Sequence, residues 1–170
     1  AVSDAAADPI RAIVGPDVPV GLVPNGIDVD AWRLPHVAGD PDEVRLVAVM
    51  RLAPRKRAMS LVQMAHEASR FLPAGRRLRL TIVGDGPVTA QVRRYVDRNG
   101  LAYGRFVVDL AGRLRPDHVK ATLAASDAFI APAKLESFGI AALEARTMGL
   151  PVLAYAATGI SSFVHHEVEG

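Results

Sequence analysis

Short runs rich in Val, Ile and Leu, at residues 18–23, 44–50, 78–83, 106–111, 127–131 and 151–154, alternate with stretches long enough to be helices. Strands that are apolar throughout must be covered on both faces, and connections of a dozen or more residues join parallel neighbours rather than hairpins. The alternation therefore predicts an α/β fold: a doubly wound, Rossmann-like parallel sheet of about six strands with helices on both faces. Helices are predicted over 56–72, closed by Pro73-Ala74-Gly75, over 88–99 with Gly100 just past the end, over 117–125, and after Phe138-Gly139. The first run closes on Pro24-Asn25-Gly26, a turn signal in which Gly26 can take a positive φ. A chain of 170 residues suits one domain. Residues 1–17 read as a helix remnant or linker, and 18–170 as the domain.

Charge excludes some partners. With 20 Lys and Arg against 18 Asp and Glu, the net charge of +2 gives no ground for nucleic acid as a partner. There is no cysteine, hence neither a disulfide framework nor a thiolate metal site. No apolar run reaches the roughly 18 to 20 residues of a membrane span, so no membrane segment is expected in this chain. The chain opens without Met and ends at Glu169-Gly170, and is expected to be part of a longer protein.

In an open α/β sheet, ligands bind at the carboxyl ends of the strands. Several candidate residues fall on that rim. Arg51 and Lys56 bracket a basic loop after the run 44–50, and suit the oxygens of a diphosphate, Arg as a fork and Lys as a point charge; a solvated basic turn is the plainer reading. Glu136 and Glu144 stand eight positions apart around Ser137-Phe138-Gly139-Ile140-Ala141, a turn into an Ala-rich helix. Free amides at that helix start suit an anion, and the carboxylates suit sugar or ribose hydroxyls; a loop charge and a solvated helix residue are the alternatives. Gly84-Asp85-Gly86 lacks the third glycine of a dinucleotide fingerprint, which argues against NAD or FAD. Gly112-Arg113-Leu114 could wall a nucleobase or simply enter a helix. Asp28-Val29-Asp30 has no further acidic ligands nearby, and no metal is expected.

Taken in order, Pro24-Asn25-Gly26-Ile27-Asp28, Arg51-Leu52 with Lys56, Val83-Gly84-Asp85-Gly86, Ala111-Gly112, Glu136-Ser137-Phe138-Gly139 with Glu144-Ala145, and Gly149-Leu150-Pro151 resemble the C-terminal, donor-binding half of a GT-B retaining glycosyltransferase of family GT4. The resemblance implies a domain that binds a UDP-, GDP- or ADP-sugar without a metal or other cofactor. Arg51, Lys56 and Glu136 would then be catalytic, the two cations at the diphosphate and Glu136 near the transferred sugar. Gly84, Gly112, Arg113, Leu114, the loop Ser137, Phe138, Gly139, Ile140 and Ala141, and Glu144 at the ribose, would hold the donor. It also implies that an acceptor, whether sugar, lipid or small molecule, is bound by an N-terminal half outside this chain, so that the chain alone is inactive. The expected location is cytoplasmic, with any membrane contact made through that other half. A non-catalytic nucleotide-sugar-binding module, or a related GT-B epimerase or phosphorylase, are the alternatives. Two departures concern the diphosphate loop, since the family usually has Gly where Met50 stands and often where Arg57 or Ala58 stands. Arg146-Thr147 also replaces the commoner Met-Ala.

Overall fold

The computed structural model describes residues 1–166 and 168. Five parallel strands, β1 (Glu43–Val49), β2 (Arg77–Val83), β3 (Phe106–Gly112), β4 (Ala128–Ala131) and β5 (Val152–Ala154), form one sheet in the order β3-β2-β1-β4-β5. β1 and β2 pair along their whole length, from Glu43 opposite Arg77 to Val49 opposite Val83. β1 meets β4 only at Leu46 and Val47. Below that short contact the Asp127 side chain takes over, accepting from the Arg45 backbone N–H at 2.6 Å and its guanidinium at 2.7 Å.

The chain runs outward from β1 to β3, then returns to the other side of β1. The crossovers carry α3 (Ala58–Ser69) and α4 (Thr89–Arg98) to one face, and α5 (Pro116–Ala124) and α6 (Ile140–Thr147) to the other. Alternate strand side chains fill the two layers. Ala48, Leu80 and Ile82 pack with Leu61, Val62, Val92 and Val96, whereas Val47, Val83 and Phe129 pack with Leu123, Ala142 and Ala145. The reversal lies between β1 and β4, and the crevice above it is the expected ligand position of such a sheet.

Residues 18–23 are not a sixth strand. Pro19 and Pro24 bring no N–H, Val23 is 75% exposed, and among the described residues the segment's backbone bonds go to the chain start, through the Ala1 amine to the Gly21 carbonyl and the Val23 N–H to the Ala1 carbonyl, both 2.7 Å. Gly26 is not among the glycines at positive φ. Before these residues comes α1 (Asp4–Val14), capped by Ser3, whose Oγ accepts from the Ala6 N–H. The buried Ser3 hydroxyl also donates to the Ser137 carbonyl, and Ala7 is fully buried, so the helix is docked on the domain. A short helix α2 (Val29–Trp32) follows, with Asp28 accepting from the Ala31 N–H. The helix expected from residue 56 starts at Ala58 instead. A 3-10 turn, Pro54–Lys56, precedes it, and Arg57 breaks the path with φ 60° and ψ 33°, the only left-handed non-glycine among the described residues.

Candidate functional site

The loop leaving β1 is fixed by β2. Met50 N–H donates to the Val83 carbonyl at 2.9 Å and Leu52 N–H to the Asp85 carbonyl at 3.0 Å, while the Leu52 side chain is buried. The two strand ends approach so closely that a Cβ at Gly84, whose φ is +128°, would stand 1.9 Å from the Met50 carbonyl oxygen. Only glycine fits. This directs Arg51 outward, exposed and without an ion-pair partner among the described residues, and brings Lys56 round on the 3-10 turn.

Lys56 meets the opposite wall. Its Nζ contacts Oε2 of Glu136, and both side chains are about a fifth exposed, at 22% and 21%. Glu136 lies on the loop after β4, which is anchored at three points: its carbonyl accepts from Gly159 N–H at 2.7 Å, the Ser137 carbonyl from the Ser3 hydroxyl, and the buried Phe138 ring lies 5.0 Å from Phe163. Gly139 then turns the chain into α6 at φ +92°, where a Cβ would come 2.6 Å from Ile160. No side chain caps α6. The N–H groups of Gly139, Ile140 and Ala141 have no acceptor among the described residues, and these three residues line the crevice at the positive end of the helix dipole.

Two cavities share the Val49 and Met50 wall. One, of about 290 Å³, is bounded by Lys56, Glu136 and the α6 start; the other, of about 660 Å³, lies across Met50 and is bounded by Arg51, Gly84, Asp85, Arg113 and Leu114. Thus Arg51, Gly84, Arg113 and Leu114 gather on one side, and Lys56, Glu136 and residues 137–141 on the other. Gly112 lines neither cavity; its carbonyl accepts from Gly84 N–H at 2.7 Å and so braces the β2 exit. Glu144 also lies outside both linings. It is half-buried on the second turn of α6, no donor among the described residues reaches it, and burial pushes its carboxyl up. Asp85 is held below the ordinary carboxylate range by the Thr89 hydroxyl and the Gly86 N–H, with which it fastens the start of α4.

Sequence reasoning did not place Val2 or Asn25, yet both line the smaller cavity. Asn25 was visible as a turn residue. Val2 carries no local signal, because its position depends on α1 folding back. Among the described residues no group of three or more His, Asp or Glu could hold a metal, and no helix is long and apolar enough to cross a membrane.

A crevice at the switch point of a doubly wound parallel sheet, walled by Arg51, Lys56, Glu136 and an uncapped helix start, defines a Rossmann-like domain with its expected ligand position at that crevice. The family model for glycosyl transferases group 1 matches residues 43–170, and the chain belongs to that family. The D-inositol 3-phosphate glycosyltransferase of Geodermatophilus obscurus is 34% identical to it, over 96% of this chain and 37% of that protein. The 2-deoxystreptamine glucosyltransferase of Streptomyces kanamyceticus is 33% identical, over 85% of this chain and 38% of that protein. In fold, the chain is similar to Anabaena HepE, crystallised with UDP and glucose, with a TM-score of 0.76 at 23% identity, over 99% of this chain and 46% of that one. The chain spans a little over a third of the length of these curated relatives.

Proposed function

We propose that this chain is the donor-binding half of a retaining, GT4-type glycosyltransferase that moves a hexosyl group from a UDP-, GDP- or ADP-sugar to an acceptor. The observation that carries the reading is that Arg51 on one side of Met50, and Lys56, Glu136 and the start of α6 on the other, flank two adjoining cavities above the switch point. The diphosphate would lie between Arg51 and Lys56, the nucleoside towards Gly84, Arg113 and Leu114, and the sugar towards Glu136 and residues 137–141. Glu144 would accept from ribose hydroxyls, which is the use its desolvated carboxylate suits.

In the transfer step the bond from the anomeric carbon to the diphosphate oxygen would break, its electron pair leaving with the nucleoside diphosphate, while the acceptor oxygen bonds to the same face of the sugar and its hydroxyl proton passes to the departing diphosphate oxygen. Arg51 and Lys56 would stabilise the departing charge, in a step that needs no metal. Lys56 must first exchange Glu136 for phosphate, and the freed carboxylate can then accept from a sugar hydroxyl.

Thermal shift with UDP, GDP, ADP and their sugar conjugates tests the site. A ligand at about a hundred times its Kd adds roughly 2.7 kcal/mol, which raises Tm by about 5 to 11 °C for a chain of this size. One base is expected to give the shift, and Arg51→Ala to abolish it. Absence of a shift with every nucleotide, both here and in a protein that includes the acceptor half, would overturn the reading.

A further inference from the structure

The turn signal at Pro24-Asn25-Gly26 is not used for a turn. Gly26 is not at positive φ, and a Cβ added there would meet nothing within 4 Å. An asparagine in a turn ordinarily bonds the backbone two residues on, but the Asn25 side chain has no hydrogen-bond partner among the described residues. It is nonetheless partly buried, and it lines the smaller cavity.

Asn25 is pinned from both sides. Before it, Val23 N–H donates to the Ala1 carbonyl, and Ser3, in the same chain start, donates to the Ser137 carbonyl beside Glu136. After it, Asp28 caps α2, and Trp32 at the end of that helix packs in the cluster that holds Ala142 and Ala145 of α6. Both anchors reach the segment that runs from Glu136 into α6. Ordering a polar side chain there and drying part of it costs free energy. No bond within the described residues offsets that cost, an arrangement that suits a group kept for a ligand.

The other polar side chains of this cavity are Lys56, Glu136 and Ser137. Lys56 can only donate and ionised Glu136 can only accept, and the two hold each other. The carboxamide of Asn25 does both without charge. Phosphate oxygens only accept, and the ammonium and the α6 amides already suit them. A sugar hydroxyl gives and takes, as the carboxamide does.

We propose that Asn25 is a specificity-determining residue of the smaller cavity, hydrogen-bonded to a hydroxyl of the transferred sugar; this rests on the donor reading. Isothermal titration of the full chain with UDP and UDP-glucose, GDP and GDP-mannose, and ADP and ADP-glucose tests it, on the wild type, Asn25→Ala and Asn25→Leu. In the pair that binds, both variants should hold the bare nucleotide as tightly as the wild type, with an unchanged Tm. The conjugate should bind about threefold to tenfold more weakly, the worth of one hydrogen bond. Leucine keeps the branched shape of the side chain without its polar atoms. Wild-type affinity for the conjugate in Asn25→Leu would therefore give Asn25 a packing role and overturn the proposal. Equal weakening of nucleotide and conjugate would overturn it too, by showing that Asn25 braces the whole crevice. A failure of the donor reading looks different: no nucleotide or conjugate would bind even the wild type, and the sugar contact would fall with it.

Discussion

Lys56 and Glu136 hold each other across the smaller cavity, and this makes one substitution behave against intuition. Glu136→Gln removes the competitor for the Lys56 ammonium, so a nucleoside diphosphate without its sugar should bind tighter by up to about fivefold, the worth of one partly exposed ion pair. The sugar conjugate should lose that gain, since the amide replaces an acceptor of sugar hydroxyls. Titration of both ligands checks this, and weaker binding of the bare diphosphate would refute the exchange. Glu144 gives a pH signature. Its folded pKa is raised by burial, so the folded state binds the proton more tightly than the unfolded state, and stability falls as pH rises through the interval between the two values. Glu144→Gln should therefore raise Tm at neutral pH, and its advantage should vanish below the unfolded carboxyl value of about 4.3. Melting curves across that range decide it.

At the scale of elements, the start of α3 and the exit of β2 respond in opposite ways to a change at one position. Arg57→Gly relieves about 1 to 2 kcal/mol of left-handed strain, against the lost hydrogen bond from Arg57 to the Tyr155 hydroxyl and the greater freedom of glycine in the unfolded chain, so Tm should stay within about 2 to 4 °C of wild type. Gly84→Ala has no such compensation, with Met50 backbone in the way, and should cost about 3 kcal/mol or more by chemical denaturation. Both effects bear on what the sequence disclosed. Aliphatic runs marked β1 to β5 because a doubly covered strand is apolar throughout, and the same signal misled at residues 18–23, where Pro19 and the flanking Pro24 mattered more than Val and Leu. The rim residues were legible because each follows a strand directly. The Lys56–Glu136 contact was not, since it joins loops eighty residues apart. Only the crossover geometry brings those together.

For the molecule as a whole, the chain start acts on the crevice at a distance. Ser3 both caps α1 and holds the Ser137 carbonyl, so Ser3→Ala should cost about 1 to 2 kcal/mol and speed amide exchange at residues 137–141 more than at β1. Equal change at both would show that α1 merely adds stability. The sheet gives this a wider meaning. On one side of Met50 the crevice stands on strands of seven residues paired along their length; on the other it stands on strands of four and three, joined to β1 at two positions and tied down by a hydroxyl, a glycine amide and a ring. One half is an anvil and the other a jaw. Thermal motion should therefore be concentrated at Glu136 and the α6 entry, while Arg51 and Gly84 hardly move. On the proposed donor reading, warming should blur discrimination among sugars well before it loosens the grip on the nucleotide.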